Sequence, residues 1–268
     1  MTGSESHHIM RWNGSSCSSC STRLIAEDRL FISVQDTPYT SVMRTPGSDD
    51  AHVAGFCLTG CLVDSLDDFA SLSFFIDGDT SSARVFLTQE RYRRVSALMQ
   101  ATGFISQTSS AVYSLQSFPD SCLTERTPCS VPFITPDDAR LFLLDLHHHQ
   151  PLREQTGSAH AVALYNQHLK LLCAAEDVGR HNALDKAVGR LFLDGRLDDA
   201  GIAVLSSRVS LDMILKLSRT RIAVILSISR PTAAAVASAE KLGITLACLS
   251  REKGGEGIMI FSGADRFS

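Results

Sequence analysis

The sequence predicts an α/β protein in which a three-layer domain with a substantially parallel sheet follows a smaller mixed α/β domain. Three observations carry that expectation. A length of 268 residues exceeds one average domain and suits two modest ones. Hydrophobic residues at 44% against charged residues at 20% fit a packed globular chain and exclude fibrous or broadly disordered classes. From residue 160 onward, apolar strand-like runs alternate with helical segments, the pattern of helices packed on a sheet.

Residues 1–22, ending in NGSSCSSCST, lack helical or strand periodicity and are expected to form a mobile tail. The small domain spans 23–102. In it, LFISV and YTSVMR flank Asp36, Thr37 and Pro38 as a β-hairpin, and Ser48 and Asp49 open a helix through roughly Leu62. Strand-like runs follow at about Phe69 to Ile76 and Arg84 to Thr88, and a helix begins near Gln89. Residues 103–134, with three prolines and two cysteines, are too long for an ordinary connection and read as an inter-domain loop.

The second domain, 135–268, opens with a helix running to about His149. Thr135 is its N-cap, Pro136 its first helical residue, and Asp137 and Asp138 complement the dipole. HAVALYN and LKLLCAAED form two strands joined by a tight turn, followed by a helix from about Asn182, capped by Asn182 or by the backbone near it. GIAVLSS, a helix from Ser210, RIAVILSIS, a helix from Pro231, TLACLS and GIMIF complete the alternation.

A net charge of −4 disfavours a protein that coats duplex nucleic acid. No apolar run reaches the roughly 18 to 20 residues that span a bilayer, and MTGSESHHIM lacks a signal-peptide core, so a cytoplasmic protein without a membrane or nucleic-acid partner is expected. Eight cysteines in such a chain read as reduced thiols.

Arg180, Arg208, Arg230 and Arg251 each fall within a few residues of the end of a predicted strand. If those strands are parallel, their carboxyl ends share one edge, where helix N-termini offer unpaired N–H groups to an anion. Ser206, Ser207, Ser210, Ser229 and Thr232 add hydroxyls, and Gly254, Gly255 and Gly257 let backbone approach a ligand. Such an edge suits a polyanionic cofactor. EDVGRHNALDK, Glu176 to Lys186, concentrates ionisable side chains across a strand-to-helix turn, and His160 is a candidate to line the same site.

The segments MRTP (Met43 to Pro46), EDVGRHNALDK, SSRVS (Ser206 to Ser210), SRPT (Ser229 to Thr232) and TGSAHAVAL resemble the FdhD family of formate dehydrogenase accessory sulfurtransferases, over about Ile25 to Phe261. The resemblance implies a cytoplasmic homodimer that takes sulfur from an IscS-type cysteine desulfurase. It passes that sulfur to the molybdenum cofactor, bis-molybdopterin guanine dinucleotide, before formate dehydrogenase receives it. It also implies that Leu249, Ser250, Arg251, Glu252, Lys253 and Gly254 bind the cofactor, joining Arg180, His181, Arg208 and Arg230. The second domain is then expected to be cytidine-deaminase-like. His160 and Ala161 sit where deaminases carry His-Ala-Glu, but Val162 replaces the glutamate and no Pro-Cys-x-x-Cys follows, so neither zinc nor deaminase chemistry is expected.

One departure bears on mechanism. Family members typically carry Thr-Ser-Ser-Cys-Gly-x-Cys in the inter-domain loop, where this chain has Thr108, Ser109, Ser110, Ala111, Val112, Tyr113 and Ser114. A methyl group and an ordinary hydroxyl cannot carry sulfane sulfur. Cys122 and Cys129 in the same loop are the candidate catalytic thiols, and Arg126 between them favours a thiolate. Two readings stay open: a relay through one of these cysteines, or a delivery protein that binds the cofactor without relaying sulfur. Cys17 and Cys20 have redox-like spacing but supply only half a tetrahedral zinc site. Cys57, Cys61, Cys173 and Cys248 read as small buried hydrophobes, and His147 to His149 as surface residues at a helix end.

Overall fold

The computed structural model describes residues 3–78, 80–102, 105–107, 133–252 and 255–267, and the largest departure from the expected elements is at the amino end. Strands β1 (Ser4–Trp12) and β2 (Cys17–Ile25) pair antiparallel from Ser4 opposite Ile25 to Trp12 opposite Cys17, where a mobile tail was expected. The turn explains it. Asn13 Oδ1 accepts from the amides of Ser15 at 3.1 Å and Ser16 at 2.9 Å, and Gly14 takes a φ of 96°. The apolar alternation that normally betrays a strand is missing because most of this ribbon lies away from the core. Cys17 and Cys20, three apart on a strand, face opposite ways and do not form one metal or redox site.

The small sheet follows the sequence more closely. Strands β3 (Asp28–Val34) and β4 (Thr37–Arg44) form the expected hairpin, with Gln35 and Asp36 at φ of 50° and 58°, the paired left-handed conformation that suits strand twist. Helix α1 (Asp49–Thr59) stops short of Leu62 because the chain turns at Gly60 and Cys61, the latter at φ 64°. After β5 (Phe69–Asp77), β6 (Thr80–Leu87), α2 (Gln89–Thr102) and β7 (Ile105–Gln107), the five strands lie in the order β5-β6-β3-β4-β7. Leu30, Ile32, Val34, Ala83 and Val85 point alternate side chains into the core.

Helix α3 (Pro136–Asp145) starts with a capping box: Asp138 N donates to Thr135 Oγ1 at 3.0 Å, and Thr135 N donates to Asp138 Oδ2 at 3.3 Å. A 3-10 turn carries the chain to His149, and α4 (Pro151–Thr156) leads into β8 (His160–Asn166) and β9 (Leu171–Asp177). Then follow α5 (Arg180–Leu193), β10 (Ala200–Leu205), α6 (Leu211–Ser218), β11 (Val224–Ser227), α7 (Ala233–Lys241), β12 (Thr245–Glu252) and β13 (Gly255–Ser262). The six strands lie in the order β13-β12-β11-β10-β8-β9. β10, β11 and β12 are mutually parallel, β8 and β9 form the antiparallel hairpin through which the sheet is entered, and β13 adds an antiparallel strand at the far edge.

The two halves share one core. Helices α1 and α5 lie between the sheets, tied to the small sheet by Tyr39 against Phe56 and Phe69 against Phe192, while α3 covers the opposite face of the large sheet over Ala163, Val204 and Leu226. The α1–α5 crossing requires glycine. A Cβ on Gly55 would stand 1.9 Å from the Asp185 carbonyl oxygen, and one on Gly189 would stand 1.8 Å from that of Ala51.

Candidate functional site

The site follows from strand direction. β9 is antiparallel to β8 and β8 to β10, so β9 runs the same way as β10, β11 and β12, and all four finish at one edge. Arg180, Arg208 and Arg230 follow β9, β10 and β11 within three residues, and Arg251 lies near the end of β12. Because β8 runs the other way, its first residue, His160, lies at this edge too, opposite Asp177. Arg208 and Arg230 are exposed, Arg180 and Ser250 half-buried, and Leu249 buried. Glu252 continues the β12 backbone beside Arg251. Lys253, Gly254, Cys122, Arg126 and Cys129, with Ala111 and Ser114, lie outside the described residues.

EDVGRHNALDK divides into two sets. Most of its charged and amide groups turn inward and fasten the halves together. Asp177 pairs with Lys186 at 2.7 Å and accepts from Thr45 N at 3.0 Å, Gly179 N at 2.9 Å and Asn182 Nδ2 at 2.9 Å. Asn182 also donates to the Met43 carbonyl at 2.7 Å, and Lys186 to that of Thr45, also at 2.7 Å. Asn182 therefore holds MRTP and does not cap α5, which begins at Arg180 after Gly179. Asp185 pairs with Lys216 at 2.6 Å and accepts from Thr59 at 2.7 Å. Glu176 caps α4, accepting from Leu152 N at 2.7 Å and Arg153 N at 2.8 Å.

Arg180 and His181 form the second set. Arg180 Nε, both ring nitrogens of His181 and the Ser210 hydroxyl are shut off from solvent and have no hydrogen-bond partner among the described residues. Buried polar groups are nearly always paired, so the orphans gathered along one sheet edge make it a candidate binding site; His52, Arg44, Asp49 and Tyr165 carry further such atoms elsewhere. Burial, with Lys216, Arg180 and His160 nearby, drives the His181 imidazole down to about 3, and it stays neutral at physiological pH. His160 is lowered for the same reason, first by burial and then by Arg180 and Arg153. Asp212 is raised by burial, against the pull of Arg180 and Lys216. Neutral imidazoles among guanidinium groups favour a ligand that brings negative charge together with its own donors and acceptors.

On the other face of this edge lies a cleft of about 260 Å³ lined by Leu146, Gln150, Arg153, Ser206, Ile228 and Leu249. Gln150 Nε2 is another buried donor without a described partner. Aliphatic walls with a few polar groups suit a flat heterocycle. A second cavity, about 280 Å³, adjoins MRTP and β9, but its Lys186 and Glu176 already serve Asp177 and α4.

Arg153, Gln150 and Asp212 were not among the residues expected from sequence. The signal for Arg153 was present: an antiparallel hairpin places the start of its first strand, and the residues before it, at the end where its second strand finishes. Elsewhere, Cys57, Cys61 and Cys248 are buried and Cys173 half-buried. His148 and His149 each contact Asp145 at 3.0 Å, and the described residues hold no cluster of His, Cys, Asp and Glu able to ligate a metal.

Comparison with known proteins agrees with this architecture. The chain is similar to proteins named sulfur carrier protein FdhD: 30% identical over 254 residues to that of Xanthomonas euvesicatoria pv. vesicatoria, covering 93% of this chain and 88% of the relative. The Mycobacterium tuberculosis protein of that name is 30% identical over 264 residues, covering 91% of each, and that of Streptomyces coelicolor 28% identical, covering 98% and 95%. A crystal structure described as that of a formate dehydrogenase accessory protein from Desulfotalea psychrophila has the same fold, with a TM-score of 0.75 at 22% identity over the full length of both chains. The FdhD/NarQ family pattern matches residues 25–268, and the chain belongs to that family.

Proposed function

We propose that this protein is an accessory factor for formate dehydrogenase that binds bis-molybdopterin guanine dinucleotide along the sheet edge. In this reading it acts in the cytoplasm as a homodimer, and it gives the cofactor sulfur taken from a cysteine desulfurase before the dehydrogenase receives it. The carrying observation is the set of buried, partnerless groups on Arg180, His181 and Ser210 beside the exposed Arg208 and Arg230. The cofactor's pyrophosphates offer acceptors to guanidinium and hydroxyl donors, and its guanines offer both donors and acceptors to a neutral imidazole. Residues Leu249 through Glu252 continue the same edge in β12, and the family resemblance extends the cofactor-binding stretch to Gly254. Among the described residues no helix is long and apolar enough to cross a membrane. We also read the large-sheet unit as cytidine-deaminase-like, with Val162 in place of the deaminase glutamate.

In the relay, a thiolate at Cys122 or Cys129 attacks the terminal sulfur of the desulfurase persulfide. The donor cysteine leaves as a thiolate and the sulfane sulfur moves to this chain. Ala111 and Ser114, at the usual cysteine positions, favour the second reading, a delivery protein that shelters the cofactor without relaying sulfur. The two separate by mass spectrometry after incubation with a cysteine desulfurase and free cysteine. The relay predicts one added sulfur atom on the wild type, lost from either Cys122→Ser or Cys129→Ser. No persulfide on any cysteine would leave only delivery.

A further inference from the structure

We infer that the hairpin Ser4–Ile25 is an arm by which one copy of this chain grips a second. The inference rests on the homodimer reading above and names the element that holds the dimer.

Among the described residues, the arm is attached only at its base. Arg23 Nε and Nη2 reach Ser4 Oγ at 2.9 and 2.7 Å, Ala26 N donates to the Gly3 carbonyl at 2.9 Å, and Ser4 Oγ donates to Gln155 of α4 at 3.4 Å. From Glu5 to Leu24 no residue is buried. Met10 and Trp12 are each 67% exposed and Leu24 43%. Directly opposed residues share a face, so Met10, Trp12 and Cys17 lie on one side of the ribbon and Ile9, Cys20 and Leu24 on the other. Nine residues at about 3.3 Å each carry the tip about 30 Å from the base. A lone two-stranded hairpin is marginal in water, yet among the described residues this one has two open edges, with apolar groups on both faces.

Charge and size point to a second copy as the partner. Ser4–Ile25 carries Arg11 and Arg23 against Glu5, a net of +1, so the rest of a chain of net charge −4 carries −5. An arm is therefore attracted to the body of another copy, and reciprocal arms satisfy two-fold symmetry. Residues 5–24, all accessible, supply a set comparable to the roughly 20 to 30 residues that each side of a stable interface contributes. The base also connects to the site: α4 carries Gln155 at the arm and Arg153 at the sheet-edge cleft.

The chain has a single tryptophan, Trp12, so the native protein reports on its own arm tip. The experiment records tryptophan emission and acrylamide quenching over a dilution series of the full-length protein, with sedimentation equilibrium on the same samples. The expected result is a dimer with blue-shifted, protected Trp12, which shifts to the red and becomes quenchable as dimers dissociate. Met10→Glu should weaken association about tenfold or more, with circular dichroism and melting temperature unchanged. A dimer that keeps Trp12 exposed, or that tolerates Met10→Glu, overturns the arm and leaves the homodimer standing. A wild type monomeric throughout overturns both.

Discussion

The junction around Asp177 and Asp185 and the edge around Arg180 and His181 are made from the same eleven-residue segment, but they handle buried polarity in opposite ways. At the junction both carboxylates meet an ammonium group and further donors across the boundary between the halves. At the edge, polar atoms equally removed from solvent have no described partner. The contrast separates two causes of a charged motif: the paired groups of this segment hold the fold, and on the proposed function the unpaired ones at the edge meet a ligand.

The largest test of that contrast removes a junction charge. Lys216→Ala leaves Asp185 buried without its ammonium partner and should cost about 3–5 kcal/mol in chemical denaturation. A loss below about 1 kcal/mol would place the junction among ordinary surface pairs.

The next effect is a pH dependence. His181 titrates near 6.5 unfolded but only about 3 folded, so between those values the unfolded chain binds the extra proton. Stability therefore rises with pH across this window and falls on acidification, by about 1.4 kcal/mol per pH unit at most. His181→Asn should flatten the slope between pH 6.5 and 5 without abolishing it, because buried His52 is lowered in the same sense by burial and by Lys186, Lys216 and Arg44. Melting curves at several pH values measure it, and an unchanged slope would show that His181 titrates normally.

The smallest effect is the most discriminating. Ser210 precedes α6 but makes no side-chain cap bond, and its hydroxyl is among the partnerless groups. Ser210→Ala should stay within about 0.5 kcal/mol of wild type, whereas an ordinary N-cap serine costs about 1 kcal/mol. Equilibrium denaturation distinguishes the two.

Much of this was legible in the sequence, for reasons particular residues make plain. The central strands are continuous apolar runs because helices cover both faces, so GIAVLSS and RIAVILSIS declare themselves. The arginine pattern was legible because strand direction alone brings those positions together. The amino-terminal hairpin was not, since most of its residues face away from the core and Asn13 and Gly14 were its only strong cue. Nor was the division of EDVGRHNALDK: composition shows charge density, but only packing against Met43, Thr45 and Thr59, more than a hundred residues away, shows which groups are already partnered.

On the proposed function, Arg180 serves a ligand and not the fold. Calorimetric titration with guanosine diphosphate, which presents the pyrophosphate and guanine of half the cofactor, tests it directly on the wild type and on Arg180→Ala. The expected result is binding by the wild type and about tenfold or weaker binding by the variant at an unchanged melting temperature. Equal affinities, or no binding by the wild type, would contradict it.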